Sequence, residues 1–422
     1  MNVFTSFNQF IKSQDIHHWL ISLILITLPL KHSVNSLFII ITVLYFIYNY
    51  FSTKKKPRLE INNITIVFIS IYILAFVSLL WSVDLESSFE GLSQKLSYLI
   101  LPIVFVFIPK INTKNITIIF STFSKAIVFY ALYCLSIGLV LYFKNNNINA
   151  LFYHNLSKPL NGINAIYLST YTAFAILYFF TKKTKQKRDY FYLTLLSLFL
   201  ILLSSKLLIS VTLFSIIASL LYYRKNTKKR VLKTVFLIST LIVTIFISKK
   251  IIDRFTIEIK NTNYSEVFSK KEFGQVYFWT GTSLRLFQIR AFYELLKEDR
   301  LFFKGYGIDA SQAMLKKKYV QYNLYPGFYN YNFHNQYIQI FSELGILGLL
   351  FLISIFYFSL KEALVNKNFL FLSFTFLIAI LCITESFLWR QRGMVFFITV
   401  TLLFFKDSSQ SINIKKIEKK IF

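Results

Sequence analysis

The run HNQYIQIFSELGILG, residues 334–348, separates His334-Asn335 from Gly345 by nine residues and Gly345 from Gly348 by two. An imidazole exchanges a proton near neutral pH, titrating at about 6.5 in model peptides, and His334 stands where a polar interval meets an apolar segment. Upstream, Arg285 and Arg290 lie five residues apart. A guanidinium grips phosphate oxygens through two parallel hydrogen bonds, which an ammonium cannot do. Glu343 lies inside the apolar segment, where an unpaired carboxylate is costly, so it requires a partner or a wet cavity.

These residues need elements to hold them, and composition indicates a bilayer. Of 422 residues 55% are hydrophobic and 19% aromatic, and the apolar residues come in blocks instead of at amphipathic spacing. A hydrocarbon core of roughly 30 Å needs about 20 apolar helical residues. The blocks predict an all-α polytopic membrane protein of about twelve transmembrane helices, near 16–30, 34–51, 62–81, 96–108, 116–143, 162–181, 190–204, 207–223, 233–248, 336–360, 368–385 and 392–405. The first block lacks a small-residue cleavage site and reads as a retained span. No linker separates soluble domains, so residues 1–422 read as one membrane domain.

Alternate connections are basic, beginning with Lys54, Lys55, Lys56 and Arg58, and the tail from Lys406 to Lys420 is basic too. The excess of Lys and Arg in short cytoplasmic connections puts both termini in the cytoplasm. The net charge of +28 is then mainly a topology signal; it points to anionic lipid and away from nucleic acid. The same alternation puts residues 249–335, the longest connection, on the outside. That interval holds 14 Lys and Arg against eight acids, an excess of six that suits either a solvated face or a cradle for an anionic substrate.

Within it, TSLRLFQIRAFYELLKEDR predicts a helix capped by Thr282 or Ser283. Leu286, Ile289, Phe292, Tyr293 and Leu296 supply its apolar face, and Gly305 and Gly307 mark the exit into a turn. Glu385, Arg390 and Arg392, at the last external turn, are candidates either to partner Glu343 or to contact phosphate. Cys134 and Cys382 fall inside expected spans and read as small core residues. His17, His18, His32 and His154 share no metal-ligand spacing and read as interfacial.

The chain resembles the superfamily of O-antigen ligases and O-antigen polymerases, polytopic bacterial glycosyltransferases. The resemblance rests on His334-Asn335, nine residues, Gly345, two residues and Gly348; on Arg285, Ile289, Arg290 and Ala291 in the preceding helix; on GYGID with Gly305 and Gly307; and on the span pattern with its large external loop. One departure is SSKLLIS, where Lys206 takes the position of the family's arginine and keeps the charge without the fork. The resemblance implies glycan transfer from an undecaprenyl-diphosphate carrier to a hydroxyl of a lipid A-core or other acceptor, at the periplasmic face of the inner membrane.

In that setting His334 is the expected general base. Arg285, Arg290, Lys206 and Arg392 are the expected diphosphate contacts, and Asn335, Glu343, Gly345 and Gly348 support the motif, the glycines through close packing. No Asp-x-Asp pair lies at an external helix end, which predicts a reaction without metal or cofactor. A polymerase, a protein O-oligosaccharyltransferase, a polysaccharide transporter and a scaffold are the competing readings. A transporter calls for repeat symmetry or broken helices in matching halves, which the sequence lacks, and a scaffold leaves the Arg285 and His334 spacing unexplained.

Overall fold

The computed structural model describes residues 15–52, 59–222, 256–299 and 301–407, and the span expected at 233–248 lies outside them. Among the described residues there is no strand; a lone bridge pairs Ile111 with Asp407. Among the described residues five apolar helical units are long enough to cross a membrane: His32–Ser52, Asn63–Trp81, Leu85–Phe107, Thr113–Asn145 and Gln336–Val365. Shorter apolar helices, Ile16–Ile26, Ala165–Thr181, Lys206–Ser219, Phe369–Thr384 and Gln391–Phe405, fall where further spans are expected. The short span expected at 96–108 is the second half of the bent unit Leu85–Phe107, which turns at Lys95.

The helix Ala165–Thr181 is buried on nearly every side, as an apolar helix without a polar stripe must be. Phe174 from it meets Phe120, Phe374 and Phe396 from three other helices, with ring centroids 5.3, 5.5 and 5.7 Å away in edge-to-face contacts. Cys134 and Cys382 are buried free thiols in the same core. The outward faces stay apolar, with Phe143 78% and Phe129 67% exposed, a surface that suits lipid and not water.

The described part of 256–335 carries a second, smaller core built on Phe287, Tyr319, Leu324 and Phe333. Its main helix is Gly281–Glu298, capped by Thr280, whose side chain accepts the Ser283 N–H at 3.0 Å. The cap is thus two or three residues earlier than expected; Glu258 takes up the Thr282 N–H, and Thr282 lies inside the first turn. The buried face is also rotated from the expected one. Leu284, Phe287, Gln288, Ala291 and Leu295 are buried, while Ile289 and Tyr293 are exposed. Apolar residues run along both faces of this helix, so periodicity alone does not choose between them.

The helix Gln336–Val365 is broken at Gly345, with φ 66° and ψ −163°. Such a break leaves backbone groups without intrahelical partners, which apolar surroundings penalise. The segment 302–307 supplies them: Tyr306 N–H donates to Ser342 at 2.8 Å, Gly307 N–H to Glu343 at 2.9 Å, and Ile346 N–H to Phe302 at 2.8 Å. Gly305 and Gly345 allow this close approach, since a Cβ on Gly305 would meet the Glu343 carbonyl and one on Gly345 would meet the Phe303 carbonyl. The glycine motif is therefore the seam between loop and membrane helix. We expect Gly345→Ala to lower the thermal unfolding midpoint of the detergent-purified protein strongly, because the dihedrals alone cost on the order of 1–3 kcal/mol for a non-glycine residue before any clash. Gly348→Ala, in regular helix, should lower it less, and an equal shift for the two would contradict the seam.

Candidate active site

His334 precedes the broken helix and is held in the left-handed region at φ 45°. Its N–H donates to the Asn332 side chain at 3.0 Å, and Gln288 fixes the Asn332 carbonyl at 2.7 Å. Asn335 caps the helix by accepting the Tyr337 and Ile338 N–H groups, each at 3.0 Å. Asn335 thus serves the helix start, and the strained backbone of His334 fixes where its ring points.

The imidazole Nδ1 lies 3.1 Å from Glu385 Oε2. Arg285 reaches the other oxygen of the same carboxylate at 2.5 Å, donates from Nε to the Thr384 carbonyl at 2.8 Å, and reaches the Gly281 carbonyl at 3.1 Å. Burial pushes the Glu385 carboxyl up, but the His334 hydrogen bond and the Arg285 charge outweigh it and hold the group below the usual carboxylate range. An ionised carboxylate only accepts, so Nδ1 is the nitrogen that carries a proton towards it, and in the neutral imidazole the lone pair is then on Nε2. Gln336 ties the Glu385 turn to the His334 helix by accepting the Leu388 N–H at 2.8 Å.

His334, Glu385 and Arg285 line a cavity of about 500 Å³, together with Arg390 and Arg392. His32 and His154 also line it, so these two histidines belong to the cavity wall and not merely to an interface. His17 instead stacks on Phe46 at 4.9 Å and is buried.

The other expected site residues fall elsewhere. Arg290 lies outside the cavity lining and is spent on the loop core. It pairs with Glu294 at 3.0 Å, donates to the Val267 and Lys270 carbonyls at 2.8 Å, and stacks on Tyr322. Arg285 and Arg290 leave the helix in different directions, which brings only the first to the histidine. Lys206 lies 3.8 Å from Glu258, a carboxylate that also has Arg285 as a charged neighbour, and is not among the lining residues. Glu343 is buried and structurally partnered, by Gln339 at 2.5 Å and Trp389 at 3.2 Å; neither Glu385, Arg390 nor Arg392 is its partner. Gly305, Gly307 and Gly345 belong to the seam, Gly348 packs within its own helix against Ile340 and Leu344, and none of the four lines the cavity.

Sequence reasoning did not pair Glu385 with His334. The available signal was that Glu385 is the sole acid in the turn between two apolar blocks, with Arg390 and Arg392 just after it.

Residues 191–353 match the O-antigen ligase family. Over that stretch the sequence is similar to O-antigen ligases. The match spans the loop and its helix, His334 and the break at Gly345, while Glu385, Arg390 and Arg392 lie beyond its end. It supports a membrane glycosyltransferase of the O-antigen ligase or polymerase type, which implies a glycan donor, an acceptor and a lipid environment. No curated protein matches the sequence.

Proposed function

We propose that this protein transfers a glycan from undecaprenyl diphosphate to a hydroxyl of a lipid A-core or similar acceptor. The reading places the chain in the bacterial inner membrane with about twelve spans, both termini in the cytoplasm and residues 249–335 in the periplasm. One observation carries it: at one cavity wall His334 Nδ1 lies 3.1 Å from a Glu385 carboxylate whose other oxygen pairs with Arg285, which in the neutral imidazole leaves Nε2 to accept a proton.

Nε2 takes the proton of the acceptor hydroxyl as its oxygen bonds to the anomeric carbon of the glycan. The bond from that carbon to the diphosphate oxygen breaks, and the diphosphate leaves with the electron pair. The leaving group is already activated, so a second carboxylate to protonate it is unnecessary. Glu385 stabilises the imidazolium that forms, and Arg285 fixes Glu385. Both residues act through His334, as the orienting acid does in other base-assisted transfers.

A ligase is favoured over a polymerase because the complete His334-Asn335 to Gly345 and Gly348 spacing is the ligase pattern. Deleting the gene should leave polymerised glycan on its carrier and remove it from the lipid core, read on gels of surface glycan. Single repeat units on the core would instead assign a polymerase, and unchanged glycan would remove both.

A further inference from the structure

A polymer cannot fit inside the cavity beside His334. Its volume of about 500 Å³ is that of a small-molecule pocket, so a long sugar chain that reaches the histidine must run out over the rim. Tyr331 stands on that rim: it lines the cavity, is 43% exposed, and its ring centroid lies 5.5 Å from that of His334. Two more rings continue the line by successive contacts. Phe328 lies 5.6 Å from Tyr331, and Tyr325, 53% exposed, lies 5.6 Å from Phe328. Neither Phe328 nor Tyr325 lines the cavity.

The loop core holds this line in place. The turn Pro326–Phe328 starts on a proline, which fixes its own φ, and it closes with Phe328 N–H on the Tyr325 carbonyl at 3.0 Å and Tyr331 N–H on the Phe328 carbonyl at 2.9 Å. Gln312 donates to the Tyr329 and Tyr331 carbonyls, at 3.0 and 2.9 Å, and Phe328 meets Trp279 edge-to-face at 6.4 Å. The Tyr325 ring lies against Gly327, where a Cβ would strike it. Held tyrosines offer broad, stiff, amphipathic surfaces at little entropic cost, and amides beside them supply adaptable hydrogen bonds. Asn330 and Asn332, next to Tyr331 in the cavity lining, are such amides. A pyranose has an apolar C–H face and hydroxylated edges, so a file of rings flanked by amides matches a chain of sugars.

We infer that Tyr325, Phe328 and Tyr331 form a glycan track outside the cavity, which holds sugars several units away from the bond being made and leads the chain to His334. The chain is either the polymer of the donor or the saccharide of the acceptor. The identity of the ligand rests on the glycan-transfer reading, whereas the line of rings stands without it.

The test is calorimetric titration of the full chain, in a detergent without a sugar headgroup, with glycan released from the host's surface polysaccharide by mild acid and sorted by length. Wild type should bind chains of many repeats more tightly than a single repeat. Tyr325→Ala should weaken long-chain binding about tenfold, the loss of one aromatic contact, and Tyr325→Trp should recover most of it. Tyr325 is exposed and lies outside the loop core, so the thermal midpoint should not move. Equal long-chain affinity in wild type and Tyr325→Ala, or no binding to the wild type at millimolar chain, would overturn the track. A dimer lost in Tyr325→Ala with glycan binding intact would overturn it too, by assigning the rings to a second copy. In transfer assays, a KM raised for the donor assigns the donor polymer to the track, and one raised for the acceptor assigns the acceptor saccharide. Tyr325-dependent glycan binding without any transfer by the wild type would leave the track standing and remove the proposed reaction.

Discussion

His334→Ala should lower the rate of glycan transfer by about 10²–10⁴-fold, the range that a positioned general base contributes. The loss should fall on the chemical step and not on binding of the donor, because the imidazole acts on the acceptor hydroxyl. Folding should survive. The ring is partly exposed, with 27% of its side chain accessible, and its main partner is the carboxylate of Glu385 rather than the apolar core. Purified variant and wild type are compared for rate at saturating donor and for thermal midpoint. A variant that transfers at the wild-type rate would remove the base from the mechanism, and one that fails to insert would show the residue to be structural.

Glu385→Gln should be nearly as damaging, by about 10²-fold or more, although it changes one atom. The amide can present its NH2 to Nδ1, which forces the proton onto Nε2 and removes the lone pair that the reaction needs, and it leaves Arg285 without its counter-charge. The same substitution has a signature in acid. In the folded protein the Glu385 carboxyl titrates below its unfolded range, about 4.3 for an ordinary glutamate. Its ionised form therefore adds stability that is complete above that range and is lost as pH falls through the lower folded value. Wild type should lose part of its thermal midpoint below about pH 4, whereas Glu385→Gln should start lower at pH 7 and lack that component of the fall. Parallel pH curves for the two proteins would mean that the carboxylate is not held ionised by His334 and Arg285.

Several features of the site were legible without coordinates. The apolar blocks locate the helices because a bilayer demands length and apolarity, both local properties of the chain. His334 was legible from its place at the mouth of an apolar block, and Gly345 and Gly348 from their spacing behind it. Which way a side chain points on a helix that is apolar on both faces was not. Arg285 and Arg290 look equivalent along the chain, yet one reaches Glu385, 100 residues away, and the other closes the loop core.

The sequence by itself determined that the chain is helical, that its helices include apolar ones suited to a membrane, and that a histidine stands at a helix mouth after a helix bearing two arginines. Those are properties of composition and short spacing, and they follow from how apolar and charged residues partition near lipid. Only the tertiary structure decided that Glu385 completes the histidine, that Glu343 is spent inside on Gln339 and Trp389, and that Gly305 and Gly345 meet as a seam. The reason is physical: each buried polar group must find a partner, and the partner it finds is set by which helices pack side by side, a choice that no local pattern along the chain encodes.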